Sequence, residues 1–316
     1  MLFKDCIWLW NVSKQVCAER STNALKNIRH RLVFMVKAAR VSGSLKPFLT
    51  ATEGSAINKL IAQRPETVGA IVWPYQCLTW DAKTRLGRIE DHYSVIEGLS
   101  PKIDFPVNGA LKLLHLGDTY ENLHVVLDQP IWFMREGQLV LNLFLDNVRI
   151  FSLAFSFVHE SGNVVAYVGA MQGRNIDGLL DTYREITKVM HGMRPRDFLF
   201  ELFRAFCRAV GVSKIFAVSD ASRHHRSSYF GKKLDKGELT LNYDEIWLER
   251  GGIQMAADYF EFSMHSQMKN LEEVPSKKRA MYRRRYEFLE ATEARMQDVC
   301  IHMNNDHLLE CPFQSL

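Results

Sequence analysis

The sequence predicts an α+β fold in which a mixed, largely antiparallel sheet packs against helices. Between about residues 139 and 171, apolar side chains alternate with a period of two, which is typical of strands. On both sides of that segment, apolar residues recur every three or four positions, which is typical of amphipathic helices. We therefore expect a helical N-terminal region over residues 1–110, an α/β core over 111–260 and a helical C-terminal region over 261–316.

The composition is that of an ordinary globular protein with an uneven charge. The chain has 316 residues, of which 47% are hydrophobic and 24% are charged, so it can bury a substantial core. Residues 1–48 contain nine Lys or Arg and two acids, which gives +7 there, whereas the whole chain carries +4. A basic segment on a nearly neutral body indicates an acidic partner, such as anionic lipid, nucleic acid or an acidic protein.

The cysteine pattern and the length of the apolar runs indicate in which cellular compartment the protein lies. Six cysteines are scattered without a Cys-x-x-Cys pair, so we expect neither structural zinc nor a disulfide framework. No apolar run approaches the roughly 18 residues needed to span a bilayer. The N-terminus has a short apolar run that is interrupted by Asp5 and lacks a small-residue cleavage site, and we interpret it as mature sequence. These features favour a cytoplasmic protein that can lie peripherally at an inner membrane.

Residues 22–41 predict a basic amphipathic helix, which continues the basic N-terminal segment. Such a helix can lie on an anionic membrane surface, or it can dock its apolar stripe against the rest of the fold. Because most amphipathic stripes face a core, we expect this stripe to be buried. Its members follow three- and four-residue spacing: Leu25, Ile28, Leu32, Met35 and Ala39.

Residues 55–100 predict a mainly helical segment, with the clearest helix over residues 82–99. We interpret His92 and Tyr93 on that helix as hydrogen-bonded packing residues. The apolar positions that we expect to be buried follow helical spacing: Leu86, Ile89, Tyr93, Ile96 and Leu99.

The period of the sequence then changes to two. Residues 139–145 and 149–158 alternate and are joined by an Asp-Asn turn. A Glu-Ser-Gly-Asn turn leads into a third strand over residues 164–171. The sequence therefore predicts a three-stranded antiparallel meander with one apolar face.

Two helices and a return strand follow the meander. The first helix starts at Leu179, and the second starts at Pro195, which suits the first turn of a helix. Residues 214–220 are then a buried strand, so that meander, helical crossover and return strand form a mixed sheet. Beyond it, residues 242–252 predict a strand or turn, and residues 273–299 predict a long terminal helix.

The loop after the third meander strand is a candidate phosphate site. Backbone amides at a helix start can bind phosphate oxygens, and Gly173 and Gly178 let the backbone approach a ligand closely. Arg174 can pair with a phosphate directly. Together with Gln172, this loop resembles in position the pyrophosphate loop of the GCN5-related N-acetyltransferases, although the second glycine falls in a different register. The resemblance implies an N-acyltransferase-like core and a donor such as acyl-coenzyme A or acyl carrier protein; the alternative is an ordinary capped turn.

Two further segments carry candidate site residues. His191 follows the first crossover helix, where it can also be a simple cap, and Arg194 precedes a proline and can bind an anionic group. After the return strand, Asp220 or His224 can act as a general base, and Tyr229 can donate a proton to a leaving thiolate. Ligands of open α/β sheets gather at the carboxyl ends of strands, which favours this loop. A polar surface loop is the alternative.

A metal site formed by Asp220, His224 and His225 is a competing interpretation of the same loop. Adjacent histidines point in different directions and no further ligand follows from the spacing, so we predict no metal site. The sequence also lacks a G-x-S-x-G elbow, a Walker A motif and an H-E-x-x-H motif. Nucleic acid is a disfavoured partner, because aromatic residues are not patterned around the basic ones.

The strings AYVGAMQGRN, HGMRPRDFLFELF and KIFAVSDASRHHR resemble the VirK/YbjX family of Gram-negative bacteria, over residues 45–295. The family tends to show Val-Ser-Asn before a histidine, whereas this chain has Val-Ser-Asp with His224 and His225 displaced. The resemblance implies a role in virulence and in resistance to envelope stress or antimicrobial peptides, without an established reaction. We expect either an acyl- or aminoacyl-transferase-like protein with a small-molecule or lipid substrate, or a non-enzymatic module whose residues 22–41 bind anionic lipid or an acidic protein.

Overall fold

A computed structural model describes most of the chain as helices packed on one sheet. The described residues are 2–18, 23–100, 102–103, 105–174, 178–230, 241–303 and 307–309.

Helices formed by the described residues precede the sheet. Asn23, Ser55 and Asp81 cap three of them, because each side chain accepts a hydrogen bond from a backbone N–H in the first turn. A 3₁₀ turn at Pro65–Ile71 lies before the last of them. The helical character expected of residues 55–100 is confirmed. The helices are α1 (Phe3–Ala18), α2 (Ala24–Arg40), α3 (Ser42–Leu49), α4 (Ala56–Gln63) and α5 (Ala82–Gly98).

The described strands form a single nine-stranded sheet. They are β1 (Ala110–His115), β2 (Leu123–Asp128), β3 (Leu139–Leu145), β4 (Val148–Glu160), β5 (Asn163–Gly173), β6 (Lys214–Val218), β7 (Ile253–Ala256), β8 (Tyr259–Phe262) and β9 (Leu308–Leu309). Their order is β7-β8-β6-β5-β4-β3-β2-β1-β9. Only β5 and β6 pair in parallel among these neighbours. The predicted mixed, largely antiparallel sheet is therefore confirmed.

The centre of the sheet is the predicted meander followed by the helical crossover. Strands β3, β4 and β5 pair in sequence order, and Asp146 takes a positive φ of 51° in the turn between the first two. Helices α6 (Leu179–Val189) and α7 (Pro195–Ala209) connect β5 to β6. Parallel strands need such a crossover, because a tight turn can join only antiparallel neighbours.

The segment predicted as a strand or turn over residues 242–252 is instead a helix, α8 (Tyr243–Glu249). Its first turn is capped by Asn242, whose side chain accepts hydrogen bonds from two backbone N–H groups. The indole of Trp247 donates to the Val218 carbonyl at 2.8 Å, which fixes α8 against the end of β6. The aromatic and branched residues that indicated a strand are thus one buried helix face.

The core lies where α5 and α7 meet the same face of β4. The ring of Phe157 is 6.0 Å from the ring of His92 and 6.4 Å from that of Phe206. His92 is fully buried and accepts the Phe157 N–H at Nδ1, which confirms its predicted packing role. The predicted terminal helix is also present as α9 (Ser276–Ile301), and its Phe288 packs on α7.

The other face of the sheet is covered by the loop between β2 and β3. Phe133 from this loop packs in a small apolar cluster with Val140, Ala154 and Ala170 on the strands. The loop approaches β5 so closely that a side chain at Gly169 would overlap the Glu136 carbonyl group. This close approach places the side chain of Glu136 beside the end of β5.

Most of the predicted apolar stripe of α2 is exposed, so the prediction that the stripe is buried is wrong; its half-buried member, Met35, packs against the core. Leu25 is 79% exposed and Leu32 is 54% exposed, whereas Arg31 and Phe34 are buried. The reason is the contact with α1: Arg31 donates to the Ser13 hydroxyl and the Trp10 carbonyl, each at 2.9 Å, and its guanidinium lies over the Trp10 ring. The buried face of α2 thus combines this satisfied cation with Phe34 and Ala38, and the predicted stripe lies on the other side of the helix.

Candidate functional site

The predicted phosphate loop is only partly described, because Asn175–Asp177 lie outside the described residues. Gln172 and Gly173 end β5, and the Arg174 N–H donates to a neighbouring backbone carbonyl at 3.0 Å. Gly178 has a φ of 83° just before α6, a left-handed conformation that glycine adopts without strain. The loop therefore joins β5 to a helix start as expected, and its phosphate-binding role stays a prediction.

His191 and Arg194 lie in the turn between α6 and α7. The His191 carbonyl accepts two hydrogen bonds from Arg285 of α9, at 2.8 and 3.1 Å. Arg194 pairs with Asp197 at 2.7 Å and with Glu249 of α8 at 2.9 Å. Both residues thus contact the helical layer, and these contacts do not include residues 219–230, the described start of the loop that follows β6.

Asp220 anchors the loop after β6. Its carboxylate pairs with Arg223 at 3.2 Å and with Arg226, and it also accepts the Tyr243 N–H at 3.2 Å. The Asp220 N–H in turn donates to Asp244 at 2.7 Å. A carboxylate that pairs with two guanidinium groups stabilises the conformation of its loop, so the described contacts of Asp220 have a structural role.

His224 belongs to a buried polar cluster at the ends of β5 and β6. Its Nε2 lies 3.6 Å from Glu136 Oε1, and Nε2 of His225 lies 3.4 Å from the same oxygen. Gln172 Nε2 donates to Glu136 Oε1 at 3.3 Å. Of the predicted site residues, the structure therefore brings His224 and Gln172 together. We call Glu136, His224 and His225 the Glu-His-His cluster.

Tyr229 lies near this cluster, and Arg135 contacts its ring. The guanidinium carbon of Arg135 is 5.7 Å from the centre of the Tyr229 ring and 4.8 Å from the centre of the Trp73 ring. Arg135 directly precedes Glu136 in the chain. The predicted proton donor therefore borders the cluster by way of a cation–π contact.

Gln76 holds the parts of the cluster in place. Its backbone N–H donates to the Arg135 carbonyl at 2.7 Å, and its carbonyl accepts the His224 N–H at 3.2 Å. Its side-chain amide donates to the carbonyls of Glu136 and Tyr167, each at 3.0 Å. One buried residue thus links β5, the β2–β3 loop and the loop after β6.

Burial controls the charge of the cluster. Burial raises the pKa of Glu136 to about 8, and the neighbouring Arg135 opposes this shift. Burial lowers the pKa of His225 to about 4 and takes the pKa of His224 well below its ordinary value, with nearby positive charges as further causes. Each of these pKa shifts favours the uncharged form of its side chain. A carboxyl group and two imidazoles in this state can move a proton, or they can serve as metal ligands.

Sequence reasoning did not identify Glu136 and Gln76. Glu136 lies in a short polar stretch between two strands, which resembles an ordinary turn. Gln76 has a positive φ of 47°, which no local pattern indicates. A pairing between residues so distant in the chain depends on the close approach at Gly169, and an isolated glycine within a strand was the one available indication.

A side chain of α8 bonds the backbone of β5 beyond its pairing with β6. The two strands pair from Val165 to Val168 on β5, and β6 ends at Val218. The Tyr243 hydroxyl accepts the Met171 N–H at 3.1 Å and lies 3.3 Å from the Met171 carbonyl. Tyr243 thus occupies backbone hydrogen-bonding groups of β5 that an extended ligand would otherwise use.

A second candidate site is the outward surface of α2. We define the α2 apolar face as Leu25, Ile28, Leu32 and Val36, all of which are exposed. Exposed basic residues lie beside it along the same helix: Lys26, Arg29, Lys37 and Arg40. Leu2, Phe3 and Ile7 add exposed apolar side chains at the start of α1. None of the helices in the described part of the chain has the length and hydrophobicity to cross a membrane.

Comparisons with known proteins place the chain among bacterial proteins without an assigned activity. A family model described as "Protein of unknown function (DUF535)" matches residues 23–298. The uncharacterized protein YbjX of Escherichia coli K12 is 25% identical over 245 residues, which covers 76% of this chain and 74% of YbjX. This match confirms the resemblance to the VirK/YbjX family.

Two uncharacterized proteins of Haemophilus influenzae are also similar to the chain. One is 28% identical over 181 residues, which covers 57% of this chain and 58% of the relative. The other is 29% identical over 150 residues, which covers 46% of each. No solved structure matches the chain.

Proposed function

This chain belongs to the DUF535 family, and we propose that it works as a peripheral protein at an anionic membrane surface, which it binds through α2. The observation that carries the proposal is the exposure of the α2 apolar face, with basic side chains beside it. An amphipathic helix of this kind buries its apolar side chains at the boundary of head groups and acyl chains.

The estimated binding free energies show that membrane binding needs both the α2 apolar face and the basic side chains beside it. Burying the exposed parts of the four apolar side chains would release roughly 1 kcal/mol each, or about 4 kcal/mol together. About 4 kcal/mol corresponds to a dissociation constant of roughly 1 mM, so the apolar face alone would bind weakly. The four neighbouring basic side chains would add about 1 kcal/mol each, but only where the lipid is anionic. The proposed partner is therefore an anionic membrane.

The charge of the N-terminal segment supports a lipid partner over a second copy of the chain. Residues 1–48 carry nine Lys or Arg against two acids, so two copies of this surface would repel each other. A role in resistance to antimicrobial peptides, which the family resemblance implies, would be consistent with binding the anionic membrane that cationic peptides attack.

Vesicle sedimentation tests the proposal. The wild-type chain should sediment with vesicles that contain phosphatidylglycerol and should stay in the supernatant with pure phosphatidylcholine vesicles. High salt should release it, because basic side chains supply about half of the binding free energy. A Leu25→Glu, Leu32→Glu double variant should lose binding. Both side chains are exposed, so the variant should keep the stability of the wild type.

Leu180→Glu is the matched control. Leu180 is 68% exposed on α6, so this substitution makes the same change of an exposed leucine on another helix. It should bind the vesicles as the wild type does. The proposal fails if the wild type does not sediment with anionic vesicles, or if Leu180→Glu loses as much binding as the double variant.

A second candidate function, acyl or aminoacyl transfer, is favoured by the topology of the sheet. One parallel pair inside an otherwise antiparallel sheet, joined by a helical crossover, is consistent with an N-acyltransferase-like core. The donor phosphates would bind the loop from Gln172 to Gly178, and His224 or Tyr229 would move the proton. Because the Tyr243 hydroxyl accepts the Met171 N–H, a donor that pairs with this part of β5 has to displace it.

Thermal unfolding with thioester donors tests this second candidate. Coenzyme A, acetyl- and long-chain acyl-coenzyme A, and acyl carrier protein would each be added to the wild type and to Arg174→Ala. A donor at about 100 times its dissociation constant should stabilise the chain by roughly 2.7 kcal/mol. The variant should lose this stabilisation. An unchanged unfolding temperature with every donor would reject transfer from these donors.

A further inference from the structure

We propose that Glu136, His224 and His225 bind one divalent transition-metal ion, with zinc as the best match. Imidazole nitrogens and a carboxylate oxygen are established zinc ligands, and two histidines with one glutamate form one of the known three-residue sets. Each side chain offers one such atom, and the three atoms lie within 4.8 Å of one another. The ion would have three protein ligands.

The two separations between Glu136 and the histidines are close to those of ligands that share an ion, and all three ligand atoms lie within 4.8 Å of one another. Glu136 Oε1 is 3.4 Å from His225 Nε2 and 3.6 Å from His224 Nε2. A hydrogen bond between nitrogen and oxygen would be about 2.7–3.2 Å long. Ligand atoms about 2.0–2.1 Å from a tetrahedral ion lie roughly 3.3–3.4 Å apart. The observed distances are closer to the second value.

The carboxyl group of Glu136 has an unused buried oxygen. Glu136 is 4% exposed, and its Oε2 has no hydrogen-bond partner among the described residues, although Oε1 accepts from Gln172. A buried polar atom without a partner is costly in free energy, and such atoms are rare in folded proteins. A bound metal ion would supply a positive charge to this buried carboxylate, which is shielded from water.

The backbone around the cluster holds the ligands at these separations. Gln76 donates from its side chain to the Glu136 carbonyl and accepts the His224 N–H, so one residue links two of the ligands. The contact of Gly169 with the Glu136 backbone sets the distance of the loop from β5. Ligands that are fixed before binding are a requirement of a specific metal site.

Two arginines border the cluster, and their positive charges oppose the binding of a cation. Arg223 pairs with Asp220 and donates to the Leu241 carbonyl at 3.0 Å. Arg135 lies over the ring of Trp73. Because of this positive surrounding, the anionic charge of Glu136 is essential for binding. A Glu136→Gln substitution should therefore weaken binding strongly although it preserves the shape of the side chain.

His225 connects the site to solvent. Its side chain is 31% exposed, whereas the side chains of the other two ligands are almost completely buried. An ion can therefore reach the cluster along this side, and a water molecule or a substrate can take the fourth coordination position there. The site would have the open position that distinguishes catalytic from structural zinc.

Metal content and metal titration test the proposal. The full chain would be purified without chelators, analysed by mass spectrometry for bound metals, and titrated with Zn²⁺ and Co²⁺. The wild type should bind one ion per chain, and Co²⁺ should give the intense visible absorption of a tetrahedral site. Glu136→Gln and His225→Ala should each weaken binding by about 100-fold or more. Circular dichroism would verify that each variant folds. If the variant of the buried Glu136 does not fold, the result for His225→Ala tests the proposal.

His159→Ala is the matched control. His159 pairs with Asp91 at 2.6 Å on the surface, so it is a histidine beside a carboxylate that has no third ligand in the described structure. This variant should bind metal as the wild type does. No stoichiometric binding by the wild type, or equal binding by Glu136→Gln and His225→Ala, would overturn the proposal.

Discussion

Replacing Gly169 with alanine should destabilise the protein, because β5 and the β2–β3 loop touch at this position. A Cβ at Gly169 would overlap the Glu136 carbonyl oxygen and would lie 2.9 Å from the carbonyl carbon and 3.0 Å from Gln76 Cγ. Ordinary contacts start near 3.4 Å, so the loop has to move away from the strand. The obstacle is backbone, which gives way less easily than the end of a flexible side chain.

The expected loss follows from two contributions. Overpacking a tight interior site costs about 1–3 kcal/mol. Movement of the loop also weakens the hydrogen bond from Gln76 to the Glu136 carbonyl, which is worth about 1 kcal/mol. Gly169→Ala should therefore lower the free energy of unfolding by roughly 2–4 kcal/mol. It should also weaken Zn²⁺ binding, since Glu136 moves with the loop.

Urea denaturation followed by tryptophan fluorescence measures this loss, and Gly87→Ala is the control. Gly87 lies inside α5, and a Cβ there would meet nothing within 4 Å. The same chemical change at that position should stabilise the protein by about 0.5–1 kcal/mol, because alanine favours helix. If Gly169→Ala were within about 0.5 kcal/mol of the wild type, the account of this contact would be refuted.

Two further substitutions test the interpretation of buried polar residues. Burial lowers the pKa of His92 to about 3, so the unfolded chain takes up a proton below about pH 6.5 that the folded chain refuses. Protonation of unfolded His92 should therefore lower the free energy of unfolding by roughly 1.4 kcal/mol per pH unit between about pH 6.5 and 5. His92→Asn keeps an acceptor for the Phe157 N–H, and urea titrations should show a shallower decline of its stability with falling pH. Equal slopes of stability against pH for the two proteins would contradict this. Asp220→Asn leaves Arg223 and Arg226 without their shared carboxylate and should cost roughly 2–3 kcal/mol in thermal unfolding, and an unchanged melting temperature would show that Asp220 is not a structural anchor.

The strands of the meander could be predicted because local rules agree there. Alternating apolar residues, two-residue turns and β-branched side chains all indicate β3, β4 and β5, and their pairing is between sequence neighbours. The helices α5, α7 and α9 follow equally clear helical spacing. These elements needed no knowledge of distant contacts.

The orientation of α2 could not be predicted in the same way. Periodicity shows that a helix has an apolar side, but it does not show where that side points. The buried side of α2 carries Phe34 and Ala38 together with Arg31, whose guanidinium contacts Ser13 and the ring of Trp10 in α1. The sequence alone does not distinguish Arg31 from the exposed basic residues around it, because its contacts with α1 are tertiary.

The candidate cluster was predictable only in part. His224 was identified because ligands gather at the carboxyl ends of strands, and Gln172 was identified as part of the candidate phosphate loop. Glu136 comes from a loop on the other face of the sheet, and its position depends on Gly169 and Gln76. The topology that joins them is a tertiary property, so the sequence around Glu136 contained no sufficient indication.

The most direct test of membrane binding measures the environment of single positions on the protein. A polarity-sensitive fluorophore would be attached to Leu32→Cys or to Leu180→Cys, in a background with Cys6→Ser and Cys311→Ser; the remaining cysteines are buried. With phosphatidylglycerol vesicles, the label at Leu32→Cys should shift to the blue and brighten, whereas the label at Leu180→Cys should not change. Equal spectra for the two labels with anionic vesicles, or no change for either, would contradict the proposal that α2 enters the membrane surface.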